Sequence, residues 1–219
     1  MFFRVDLKIF IFLIIFYFTR QIEIYGIIML FAFIHEIGHL LAGILLKIKV
    51  KKFSIMPLGF SVEFALNESD YNRKIFNSNI NELKKIAVFI AGPFVNILAI
   101  IISNMINIEN QIVQNIVYSN ILILVFNMLP IYPLDGGRIL NSILCLITNR
   151  KNGILYTNII SNIILFLITF LASILIYYLK NWLIIVMLVY LWSIVIEQNK
   201  VCREKLKLYE VLKNISFLS

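Results

Sequence analysis

Apolar residues run through this chain in blocks too long and too unbroken for ordinary surface helices. Ile22 to Leu46, Leu83 to Met105 and Ile154 to Leu179 each reach the roughly 20 residues that a helix needs to cross a bilayer, and Trp182 to Ile196 falls a little short. Two further stretches are less regular. Leu7 to Phe18 is short, carries Arg4, Asp6 and Lys8 at its start and has no small-residue cleavage site, so it reads as a retained signal-anchor helix. Ile112 to Ile147 is too long for one plain helix and is interrupted by Pro130, Pro133 and Asp135-Gly136-Gly137. The pattern predicts an all-α polytopic membrane protein with six transmembrane helices over residues 7–19, 22–46, 83–105, 112–147, 154–179 and 181–197. The fourth is expected to break near residues 130–136, and residues 200–219 form a short tail.

Composition agrees with that pattern. Of 219 residues, 61% are hydrophobic and 15% charged, against the roughly 45–50% apolar content of a soluble domain. Basic residues collect in cytoplasmic loops, and this tests the span count. With the N-terminus inside, eighteen of the twenty Lys and Arg residues fall on the cytoplasmic side, and only Arg20 and Lys180 fall outside. Both termini are therefore expected in the cytoplasm. The net charge of +8 reflects this topology and attraction to anionic lipid heads; no basic cluster points to nucleic acid. The two cysteines, Cys145 and Cys202, predict no disulfide framework.

The chemistry lies in FIHEIGHLLA, Phe33 to Ala42, where three ionisable groups interrupt an apolar run. Each would cost roughly 2.5–3.5 kcal/mol or more facing lipid. On a helix His35 and His39 stand one turn apart on the same face, with Glu36 beside them. This H-E-x-x-H spacing lets two imidazoles hold a zinc ion while the glutamate serves as general base. These are the chain's two histidines, so a third ligand must be a carboxylate or thiolate. Asp135, at the break in the fourth span, is the leading candidate, with Cys145 and Glu63 as weaker ones. Read alone, Asp135 could equally be a helix N-cap.

These residues resemble the site-2 protease family of intramembrane zinc metalloproteases, whose motifs are H-E-x-x-H on one helix and N-x-x-P-x-x-x-x-D-G on another. The chain supplies His35-Glu36-Ile37-Gly38-His39 and Asn127 to Gly136, and Ala91 to Asn96 (AGPFVN) resembles the family's G-P-x-x-N element. MPLGFSVEF, FNMLPIYPLDGGRIL and the tail IEQNKVCREKLKLYEVL resemble a sporulation branch of the family. The resemblance implies regulated intramembrane proteolysis with one Zn2+ per chain held by His35, His39 and Asp135, Glu36 as the catalytic base, and removal of the pro-sequence from a sporulation sigma factor. It implies regulatory or inhibitory membrane partners and a bacterial membrane, that of the mother cell around the forespore. A CBS domain, frequent at the C-terminus of that branch, is not expected in the residues after the last span.

Other positions stay open. Asn127 either hydrogen-bonds the substrate or oxyanion or caps the broken helix. Lys52 to Ala65, with alternation over Phe60 to Phe64 after Pro57 and Gly59, is either a small re-entrant β-hairpin whose edge takes extended substrate or a plain loop. Pro93 and Asn96 suit helix packing and orientation of the ligands. Leu206, Leu208, Val211 and Leu212 mark a short amphipathic helix at the membrane surface. Against the protease stand a zinc transporter, a non-catalytic pseudoprotease, and a zinc peptidase with a domain outside the bilayer. The last is disfavoured because the longest polar stretch, Lys47 to Asn81, is short.

Overall fold

The computed structural model describes residues 2–5, 8–48, 50–56, 59–64, 75–105, 111–180 and 183–218. The chain falls into two compact units, Met1–Asn127 and Met128–Ser219.

The first unit opens with a strand, β1 (Phe2–Val5), and a short helix, α1 (Lys8–Phe18). A turn with Arg20 at φ 57° leads into α2 (Ile22–Leu45), and the Phe16 ring stacks on Tyr25 at 4.7 Å. The buried positions of α2 are Tyr25, Ile28, Ala32, His35, Glu36, Gly38, His39 and Gly43. Their spacing of three and four residues forms one stripe along the helix, so packing, not lipid, receives the ionisable groups. α2 packs against α3 (Ile75–Met105) and α4 (Gln111–Asn127). Ile28 and Ala32 meet Ile123 of α4, with Phe31 against them. At Gly38 the backbones close up: a methyl there would stand 2.8 Å from Val95 Cγ2 and 3.0 Å from the Ala91 carbonyl oxygen.

Between α2 and α3 lie β2 (Val50–Met56) and β3 (Gly59–Phe64). They pair antiparallel from Met56↔Gly59 to Val50↔Phe64 with an irregularity between Val50 and Lys52, and β1 joins β2 in parallel. The sheet order is β1-β2-β3, which among the described residues leaves β3 at an edge. Pro57, Leu58 and Ala65 of this segment lie outside the described residues.

The second unit begins with an irregular stretch, Met128 to Leu134, followed by α5 (Asp135–Ile147), α6 (Arg150–Leu179) and α7 (Leu183–Leu218). α5 packs along α6, where Gly153, Thr157 and Ser161 repeat at a spacing of four. A reciprocal amide pair joins α6 to α7: Asn162 Nδ2 donates to Asn199 Oδ1 at 3.1 Å, and Asn199 Nδ2 returns a bond to Asn162 Oδ1 at 3.0 Å. Trp192 Nε1 donates to Thr169 Oγ1 at 3.1 Å. Bonds of this kind between membrane helices contribute about 0.6 kcal/mol on average.

Among the described residues, four helical stretches are long and apolar enough to cross a membrane: Ile22–Leu45, Asn79–Met105, Arg150–Tyr178 and Ile184–Lys207. The outward faces carry exposed Phe166, Leu167, Phe170 and Leu171 on α6 alone, as a lipid-facing surface requires. This is an integral membrane protein. One difference from the sequence reading concerns the tail, which continues α7 without a break to Leu218 and forms no separate helix. No Gly or Pro lies between Leu183 and Leu218 to stop it; the end of an apolar run marks where lipid ends, and the helix goes on.

Candidate metal centre

The centre is built from α2 outward. His35 and His39 are each 2% exposed, and their Nε2 atoms face one another at 3.0 Å. The other nitrogen of each ring is occupied by α3. His39 Nδ1 lies 2.8 Å from the Val88 carbonyl oxygen and His35 Nδ1 lies 3.0 Å from Asn96 Oδ1. Both partners are acceptors, so both Nδ1 atoms donate, and in the neutral rings both Nε2 atoms present lone pairs. Two lone pairs at that distance repel unless a proton or a cation lies between them. Histidine ligands to metals hold the second ring nitrogen in just this kind of bond, and two nitrogens on one tetrahedral zinc stand about 3.3 Å apart given bonds of roughly 2.0–2.1 Å. The pair fits a shared metal ion.

Asn96 is 1% exposed, and its Nδ2 has no acceptor among the described residues. Leaving a buried donor unpaired costs about 1–3 kcal/mol. The side chain is turned to serve His35, not its own amide. The Val88 carbonyl was not foreseen from the sequence, because a backbone acceptor has no residue type. Glu36 is 9% exposed in the same stripe of α2. Glu82 of α3 is a further buried acid, overlooked in the sequence reading and paired with Lys85 at 2.8 Å.

In the second unit Asp135 is buried and is the first residue of α5. The N-cap position is held by Leu134, which makes no side-chain bond, so Asp135 stands one residue inside the helix and not at the N-cap. Gly136 and Gly137 lie in the first turn of α5, without left-handed dihedrals. A methyl on Gly136 would stand 2.7 Å from the Leu129 carbonyl oxygen and closer still to Met128; one on Gly137 would stand 2.5 Å from the Ile131 carbonyl oxygen. Bare backbone lets Met128 to Leu134 fold tightly over the start of α5. Tyr132 N–H donates to Ser161 Oγ at 3.0 Å, which ties that stretch to α6.

The candidate metal-ligating side chains are His35 and His39 in the first unit and Asp135 in the second, all three buried. Cys145 is outside this group: a side chain on Gly153 of α6 would meet its Sγ at 2.6 Å, so the thiol fills a helix contact. Asn127 is the last residue of α4 and is half-buried. The side chain of Glu63 lies outside the described residues.

The sequence profile of peptidase family M50 matches residues 24–118 and 103–171. The chain belongs to peptidase family M50. The family implies a metal, typically zinc, and the buried histidine pair is the candidate site for it. Over 117 residues, 52% of the chain, it is 31% identical to stage IV sporulation protein FB of Bacillus subtilis (strain 168). The match spans 37% of that protein's length. The fold is similar to that of the site-2 protease from Methanocaldococcus jannaschii, with a TM-score of 0.65 at 18% identity, covering 89% of this chain and 88% of that one.

Proposed function

We propose that this M50 chain is an intramembrane zinc metalloendopeptidase in which His35, His39 and Asp135 hold the ion and Glu36 is the general base. The observation that carries the reading is the pair of Nε2 atoms at 3.0 Å with both Nδ1 atoms already donating. Zinc, when bound, supplies Lewis acidity toward water and the scissile carbonyl. Glu36 takes the proton of the attacking water as the C–O bond forms, then returns it to the amide nitrogen as the C–N bond breaks. Burial of Glu36 suits a base whose proton must be held and handed on. Asn127 offers an amide to the substrate backbone or the developing oxyanion, and the edge strand β3 offers unpaired backbone to an extended segment.

The substrate we infer is a membrane-associated pro-protein, specifically the pro-sequence of a sporulation sigma factor, cleaved from the cytoplasmic side of a bacterial membrane. Supporting this are the sequence likeness to a sporulation protein, the branch motifs and the distribution of Lys and Arg.

The test is co-expression with candidate sigma-factor precursors, read as a size shift. Glu36→Gln is expected to keep one equivalent of zinc and to lower cleavage by about 10²–10⁴-fold, the usual contribution of a general base. Undiminished cleavage by Glu36→Gln would rule the mechanism out.

A further inference from the structure

α3 meets the histidine pair at Gly92, a buried residue. A methyl group on its α-carbon would stand 2.6 Å from His35 Nε2, 2.5 Å from His39 Cε1 and closer still to His39 Nε2. Non-bonded heavy atoms settle roughly 3.5–4.0 Å apart, so both imidazoles would have to move. Neither has slack. His39 is held at Nδ1 by the Val88 carbonyl and His35 by Asn96 Oδ1. Val88, Gly92 and Asn96 are spaced by four along α3, as His35 and His39 are along α2. One stripe of α3 thus presents anchor, gap and anchor to the two rings.

We infer that Gly92 is a site-forming residue of the metal centre: bare backbone at this position is the floor on which both Nε2 donors are set, and any side chain there turns them from the ion. The inference rests on the metal reading above and concerns a residue that binds nothing itself. Ordinary helix packing is the competing explanation. Gly38 separates the two, because its own tight contacts are with Val95 and Ala91 and not with a ligand ring.

The experiment measures zinc affinity of the full chain in detergent, by competition with a chromophoric chelator, together with thermal melting. Gly92→Ala is expected to bind zinc at least tenfold more weakly than wild type. Gly38→Ala is expected to melt at a lower temperature and to bind zinc as wild type does. Zinc affinity of Gly92→Ala within twofold of wild type overturns the inference, as does an equal loss of affinity in Gly38→Ala. If Gly92→Ala does not fold, the triple variant Gly92→Ala/His35→Ala/His39→Ala decides: removing both rings makes room for the methyl, so this variant should fold and melt with His35→Ala/His39→Ala. A triple variant as poorly folded as Gly92→Ala refutes the clash. Wild type that binds no zinc would sink the metal centre itself, a result distinct from either.

Discussion

A histidine has two ring nitrogens, and in this protein the one that faces away from the proposed ion does as much to define the site as the one that faces it. His35 and His39 were legible in the sequence as a candidate ligand pair because they are the chain's two histidines and lie four apart in an apolar run. Their orientation was legible only in part. Asn96 carries a trace in the G-P-x-x-N element, whereas Val88 contributes a carbonyl oxygen that any residue could supply. Two replacements of Asn96 are expected to behave differently. Asn96→Ala removes the acceptor that fixes His35 and is expected to weaken zinc binding about 10–100-fold, as loss of a ligand's hydrogen-bond partner does elsewhere. Asn96→Asp keeps an oxygen at the same place and should restore most of that affinity. Chelator competition checks both. Equal affinities for wild type and Asn96→Ala would show that the bond to His35 is incidental.

At the scale of elements, the sequence marks an interruption around Pro130 to Gly137 but does not give its mechanics. Prolines and glycines in one stretch say that a regular helix ends; they do not say whether a glycine is there for its dihedral freedom or for its lack of a side chain. Here it is the second. Both glycines lie in the first turn of α5, pressed against the backbone of Met128 to Tyr132, so the fold of that stretch and the position of Asp135 are set together. Gly137→Ala would drive a methyl into the backbone at Ile131 and Tyr132, where no rotamer change can relieve it. Overpacking of this kind costs about 1–3 kcal/mol or more. The expected outcome is a lower melting temperature together with reduced zinc content. Gly26→Ala is the reference, since a methyl on Gly26 would meet nothing within 4 Å. A Gly137→Ala protein that melts and binds zinc as Gly26→Ala does would contradict the packing argument.

For the whole molecule, the sequence determines more about the membrane than about helix ends. Hydropathy marks the four stretches that, among the described residues, are long and apolar enough to span, because lipid selects for composition. It could not see that α7 runs on to Leu218 or that α3 begins at Ile75, because water tolerates helix as readily as loop. Orientation follows from charge, and it can be tested on the last two helices. α6 has 30 residues, about 45 Å at 1.5 Å per residue, against a hydrocarbon core of about 30 Å. It starts at Arg150 and Lys151 and is closed by Lys180 in a left-handed cap, and α7 then carries Lys200, Arg203, Lys205 and Lys207 at its other end. With basic residues held inside, the turn at Lys180 must face out and Arg203 must face in. Both residues are exposed, so single cysteines can report on them once Cys145 and Cys202 are changed to serine. A membrane-impermeant maleimide is expected to label Lys180→Cys in intact cells and Arg203→Cys only after the cells are opened. The reverse pattern would invert the topology and, with it, move the cleavage we propose to the opposite face of the membrane from any cytoplasmic sigma factor.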